Sequence, residues 1–219
     1  MYPDLLTYAP AVKAEFPLSL PQDLITSLRL LQAVDAFEGL SEWVYQTAAT
    51  LPGDFRAELN LLGYPIKWCF RRQDSLIWCL PPSHPAHTDM GAFRNYLETT
   101  SAKEFQRVLV RNLAEDAGVA LPLDRAGHQQ PIVPDKMALR QMLSTVRQLE
   151  LKKWGRTYAD LWEDEPLLTL VLTPPELKER LLGLLTRFWD TYYREDFEVH
   201  RQAMSRSVGY HRQQAFPPG

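Results

Sequence analysis

The sequence predicts an all-α protein: a compact multi-helix domain of about eight helices that ends in a long C-terminal helix. Three observations carry that expectation. Leucine is abundant, with 34 Leu against 11 Val and 4 Ile, and side chains branched beyond Cβ keep helix-compatible rotamers that β-branched ones lose. Apolar residues recur at spacings of three and four in segment after segment, the period of one helix face. Those segments begin at capping residues and stop at Gly or Pro. With 219 residues, 45% hydrophobic and 23% charged, the chain has length enough for one large domain or two small ones, with a sizeable core either way.

The elements follow in order. SLPQDLITSLRLLQAV places Leu20, Leu24, Leu28 and Leu31 on one face with Ile25 beside them, and Pro21 falls in the first turn, where its missing N–H is harmless. Ser41 opens SEWVYQTAATL. Pro52-Gly53-Asp54 then turns the chain into FRAELNLLG, which the sequence closes at Gly63. PIKWCFRRQDSLIWCLPP fits two patterns, a hairpin turning at Gln73-Asp74 or a helix over 65–81; the helical spacing of Ile66, Cys69, Phe70, Gln73, Leu76, Ile77 and Leu80 is the better fit. Ser101 and Glu104 form a capping box for Phe105, Val108, Leu109, Asn112 and Leu113, ending at Gly118.

Residues 119–134 carry three prolines and no period, so they read as a long loop and a place for a subdomain boundary. DKMALRQMLSTVRQLELKKWG follows, with Met137, Leu139, Met142, Leu143, Val146 and Leu149 on its apolar face, Lys152 and Lys153 in the last turn and Gly155 beyond it. A shorter helix over 158–172 is interrupted at Pro166. Thr173 and Glu176 form a second capping box, from which the last helix presents Leu177, Leu181, Leu184, Leu185, Phe188 and Tyr192, then more weakly Val199, Ala203 and Val208. Unbroken to Tyr210, it would span about 50 Å at ~1.5 Å per residue. The expected organisation is a helical domain over 1–172, a connecting helix over 173–212 and a linker over 213–219.

Composition narrows the function. There are 24 basic and 27 acidic side chains, a net charge of −3, so the bulk of the chain is no basic nucleic-acid scaffold. No apolar run approaches the ~18 residues of a membrane span, and the first residues lack the pattern of a secretory signal, which makes the cytoplasm the expected compartment. Cys69 and Cys79 each lie between large apolar neighbours and read as buried free thiols.

The sequences of nucleophile elbows and phosphate-binding loops are missing from the chain. His84, His87 and Asp89 stand close enough to suggest a metal site, but Pro81, Pro82 and Pro85 make the segment a loop without helical ligand spacing; a solvated loop is the preferred reading, and no metal or cofactor is expected. The acidic run Asp160, Glu163, Asp164 and Glu165 suits a helix start rather than acid–base chemistry. Among 24 aromatic residues, several gather late: Trp154, Tyr158, Trp162, Phe188, Trp189, Tyr192 and Tyr193. Core packing accounts for them, and Trp154, Tyr158, Trp162, Trp189 and Tyr192 are also the candidates for an apolar ligand pocket. After Glu198 the chain has no acidic residue, and Arg201, Arg206 and Arg212 suit either the negative end of a helix dipole or a nearby phosphate backbone.

The segments EFPLS (15–19), SLRLL (27–31), FRAELNLLG (55–63) and EFQRVLV (104–110), with ELKERLLGLLTRFWDTYYREDFEVHR (176–201) above all, resemble the N-terminal helical region of a group of bacterial ArsR-type winged-helix transcriptional regulators. The resemblance implies a regulatory and dimerising region whose DNA contacts are made by a winged helix beyond residue 219, with a second copy of the chain and a small-molecule effector as further partners. It brings no metal-sensing cysteine or histidine set and no transferable site residue. Two other classes stay open: a stand-alone helical protein that takes an apolar small molecule, and a metal-dependent enzyme at His84, His87 and Asp89.

Overall fold

The structure, a computed structural model, describes residues 19–71, 75–120, 135–154 and 164–201, and every regular element among them is helical. Helix α1 spans Leu20–Gln32, α2 Glu42–Thr50, α3 Gly53–Phe70, α4 Met90–Thr99, α5 Ala102–Asp116, α6 Lys136–Trp154, α7 Asp164–Leu172 and α8 Pro174–Phe188. From Trp189 to Tyr193 the chain widens into a π-helical turn, then continues as α-helix to Arg201. The predicted fold class is observed, long terminal helix included.

Three local expectations hold for local reasons. Pro21 occupies the first turn of α1. The Ser101 hydroxyl accepts the Glu104 N–H at 3.2 Å, and α5 ends before Gly118, whose positive φ of 69° lets the chain leave the helix.

Helix α3 departs from expectation because its continuation depends on another helix. It does not stop at Gly63 but runs through Gly63 and Pro65 to Phe70; the hairpin over 65–81 is not formed, and residues 75–80 are turns rather than helix. A proline inside a helix costs about 3 kcal/mol and a glycine about 1. Burial of Tyr64, Ile66, Trp68, Cys69 and Phe70 offsets much of this, and α1 supplies the rest: Arg29 Nη1 donates to Gly63 O at 3.1 Å and Gln32 Nε2 to Asn60 O at 3.5 Å. A Cβ at residue 63 would lie 2.0 Å from the Gln32 amide, so glycine is what permits this approach. Because α3 ends at Phe70, Cys69 is buried beneath it while Trp78 and Cys79 face outward, which corrects the reading of both cysteines as buried.

The remaining corrections are similar in kind. Helix α4 was not expected; Asp89 caps it, its Oδ1 accepting the Ala92 N–H at 2.6 Å, and Phe93 and Leu97 bury its inner face. Met137 and Leu149 are exposed, because α6 packs only along Leu139, Met142, Leu143 and Val146. Pro166 lies in the first turn of α7; residues 158–163 of the expected helix lie outside the described residues. Thr173 precedes α8, yet its hydroxyl donates back to Thr169 O at 2.9 Å instead of capping α8.

Helix α5 lies in the middle, against α3, α6, α7 and α8, while α1 rests on α2, α3 and α4. Helix α8 packs on α3, α4, α5 and α7 and buries Leu177, Leu181, Leu184, Leu185 and Phe188. Ion pairs flank that packing: Arg180 grips Glu58 with Nε to Oε1 at 2.9 Å and Nη2 to Oε2 at 2.5 Å, and Arg187 meets Asp54 at 2.7 Å. Lys178 Nζ donates to Glu98 O and Thr100 O, placing a cation at the negative end of α4. From Leu177 to Phe197 the terminal helix contributes buried side chains to the core. The expected linker over 213–219 and most of the loop over 119–134 lie outside the described residues.

Candidate functional site

The feature that stands out is the wide turn in the terminal helix. Its signature is the bond from Arg194 N to Trp189 O, five residues apart instead of four. A turn of this kind accommodates one extra residue and rotates everything downstream relative to the α-helical register.

Hydrophobic burial explains why the chain adopts it. Continuing the α-helical face from Phe188 through Tyr192 would next bring Glu195 and Val199 inward. The wide turn shifts that face by one residue. Tyr193 and Phe197 are buried instead, at 3% and 1% exposure, while Glu195 is exposed and Val199 is 74% exposed. Tyr192 drops to a half-buried position. The predicted face of Tyr192 and Val199 is thus corrected to Tyr193 and Phe197.

Seven rings meet here. Phe188 stacks on Tyr193 at 5.4 Å, Trp189 meets Phe197 at 5.5 Å, and Trp43 of α2 meets Tyr193 edge-on at 5.7 Å. Phe55 of α3 approaches Tyr192 at 5.5 Å and has the Arg187 guanidinium over its ring at 5.2 Å. A directional bond ties the cluster to α1: the Tyr193 hydroxyl donates to Asp23 Oδ2 at 2.5 Å. Burial, and then the Asp23 carboxylate, push the Tyr193 phenol well above its ordinary value, against a smaller opposing effect of a hydrogen bond with Ser27. The hydroxyl therefore serves as a buried donor.

Among the candidates for an apolar pocket, Trp189 and Tyr192 are in this cluster, Trp189 against Tyr193 and Phe197 and Tyr192 against Phe55. The backbone of Trp154 ends α6; Tyr158 and Trp162 lie outside the described residues. Arg201 is exposed and pairs with Glu198 at 3.0 Å, while Arg206 and Arg212 lie outside the described residues. His84, His87 and Asp89 each have a structural partner: His84 Nδ1 accepts the Ala86 N–H at 3.1 Å, His87 Nδ1 meets the Ser19 hydroxyl at 3.3 Å, and Asp89 caps α4. Among the described residues no group of three His, Cys, Asp or Glu side chains is placed to hold a metal ion.

A second polar cluster escaped the sequence reading. Lys67 Nζ lies 2.9 Å from Asp116 Oδ2 and 3.2 Å from Glu150 Oε1, and the Trp68 indole donates to the same Asp116 oxygen at 2.9 Å. These groups join α3, α5 and α6, so the cluster acts as a clasp between helices.

No family model, no curated protein and no solved structure matches this chain. The likeness to ArsR-type regulators therefore rests on the quoted segments alone.

Proposed function

We propose that this chain is the regulatory and dimerising region of a bacterial transcription regulator, with no catalytic chemistry of its own, in which a small-molecule effector or a partner acts on the helical body and a winged helix in the same longer protein reads DNA. The observation that supports this reading is the wide turn at Trp189–Tyr193 in a helix that is core up to Phe197 and exposed over residues 198–201. Such a helix has two available registers. Losing the extra residue from the turn would rotate the segment beyond it by about 100°, the angle per residue of an α-helix. Whatever shifts the balance between those registers on the body side changes the presentation of the far end, which is the physical content of allosteric coupling. The Asp23 carboxylate on the Tyr193 hydroxyl is the bond that holds the observed register.

The test uses the protein made from its natural reading frame. In mobility-shift assays it is expected to retard DNA from its own upstream region, while residues 1–219 alone do not, and Tyr193→Phe is expected to change that affinity severalfold. Sedimentation is expected to show a dimer at micromolar concentration. Failure of the natural protein to retard that DNA overturns the reading.

A further inference from the structure

The segment that joins α3 to α4 holds a buried histidine. His87 ends the short helical turn Pro85–His87, which packs on α1 and α4, and it is 6% exposed. Its Nδ1 lies 3.3 Å from the Ser19 hydroxyl at the start of α1, while its Nε2 is buried with no hydrogen-bond partner. A buried polar atom left unbonded is uncommon and costly.

Ser19 is held in an unusual way as well. It stands at the N-cap of α1, where a serine hydroxyl ordinarily accepts an N–H of the first turn, yet it makes no such bond. Its hydroxyl meets His87 instead, 68 residues away in the chain. Ser19 thus has two alternative partners, its own helix and the turn.

The charge on the ring decides between them. A neutral imidazole with its proton on Nδ1 donates to Ser19 Oγ and leaves only a lone pair at Nε2. A second proton puts a charged N–H at Nε2, where it meets neither an acceptor nor water. The charged and titratable groups on the elements around the turn are bonded elsewhere. On α1, Asp23 accepts the Tyr193 hydroxyl and Arg29 donates to Gly63 O. On α4, Asp89 caps the helix, Tyr96 donates to Leu76 O, and Arg94 pairs with Glu98 at the surface. In the turn itself, His84 Nδ1 accepts the Ala86 N–H.

We propose that His87 is an acid-released latch between the turn Pro85–His87 and α1. Closed, the neutral ring holds the Ser19 hydroxyl. A free imidazole takes its second proton near pH 6.5; below that, the charged ring gains water by leaving, and Ser19 becomes available to the first turn of α1, which lowers the cost of release. The closed contact favours the neutral ring, so it is complete above about pH 7 and weakens as pH falls. Release is local and needs no DNA, so the latch stands apart from the regulator reading.

Amide hydrogen exchange on the 219-residue chain at about pH 7.5 and about pH 5.5 tests this, read as protection factors corrected for intrinsic exchange. The His87 and Asp89 amides bond to His84 O and Pro85 O at 3.0 Å. They are expected to lose about tenfold in protection between the two pH values, the factor by which protonation near pH 6.5 favours the open ring. Leu109 in the buried face of α5 is expected to change by less than about twofold, which separates release of the turn from loss of the whole fold. In His87→Gln, whose side chain takes no proton, the tenfold change is expected to vanish even where overall protection is lower. In His84→Asn, whose side chain still offers an acceptor to the Ala86 N–H, the change is expected to remain. Equal protection at both pH values in the unaltered chain, an equal fall at Leu109, a tenfold change that survives His87→Gln, or its loss in His84→Asn would each overturn the proposal.

Discussion

Two seams of the body rely on opposite kinds of chemistry. Between α1 and α3 it is close backbone approach: Gly63 admits the Gln32 amide, and Arg29 and Gln32 donate to carbonyls of the facing helix. Between the terminal helix and α2 and α3 it is rings, Trp43 and Phe55 against Tyr193 and Tyr192, with the bond from Tyr193 to Asp23 of α1 beside them. Close approach with directional bonds permits one register, because a shift by one residue replaces hydrogen bonds with clashes. Ring contacts of 5.4 to 6.5 Å tolerate sliding, since burial has no direction. The terminal helix bears an extra residue on the tolerant side, and the strict side keeps the body in place.

Breaking the tolerant seam at its centre should have the largest effect. Phe188 has no exposed surface and touches Phe55, Tyr192 and Tyr193. Phe188→Ala is expected to cost about 3–5 kcal/mol through lost burial and the cavity left behind, measured by urea denaturation with the slope unchanged.

The strict seam is sharpened by a pair of substitutions. In Gly63→Ala the new Cβ takes the place of the Gln32 amide, which must give up its bonds to Arg29 and Asn60 O. Two hydrogen bonds at about 1 kcal/mol each exceed the ~1 kcal/mol that alanine gains over glycine in a helix. A net loss of about 1 kcal/mol is expected, more if Gln32 finds no new partners. Gln32→Ala removes the obstruction, so the double variant should cost less than the sum of the two singles by about 1 kcal/mol. Strict additivity would mean that Gly63 is there for some other reason.

The same contrast explains what could be read from the sequence. The cap of α5 was legible because Ser101 and Glu104 make it within one turn. The passage of α3 through Gly63 and Pro65 was not, because part of the compensation comes from α1, 34 residues away from Gly63 in the chain. Asp89 drew notice as a candidate ligand and proved to be a cap, and the clue was local: Met90, Phe93 and Leu97 follow it at helical spacing. Trp189 and Tyr192 were recognised as part of a late aromatic group, but the wide turn was missed. Its trace is a stripe that holds Phe188 and then moves one residue over to Tyr193 and Phe197. Asp23 left no trace at all, standing 170 residues from its partner.

The most specific effect expected falls on that partner. Tyr193→Phe keeps the ring and its stacking but withdraws the donor from the Asp23 carboxylate, a loss of about 1–2 kcal/mol near neutral pH for a bond to a charged acceptor. The sign of its pH dependence follows from the raised phenol of Tyr193. The unfolded tyrosine releases its proton near pH 10, whereas the folded one holds it to higher pH. The contribution of Tyr193 is therefore fully present below about pH 10 and declines above it, with a slope of at most ~1.4 kcal/mol per pH unit. Phenylalanine has no proton to lose, so the stability difference between the two proteins should shrink as pH rises from about 9 to 11. A difference that stays constant across that range would place the hydroxyl in contact with water rather than with Asp23, and the register of the terminal helix would then rest on ring packing alone.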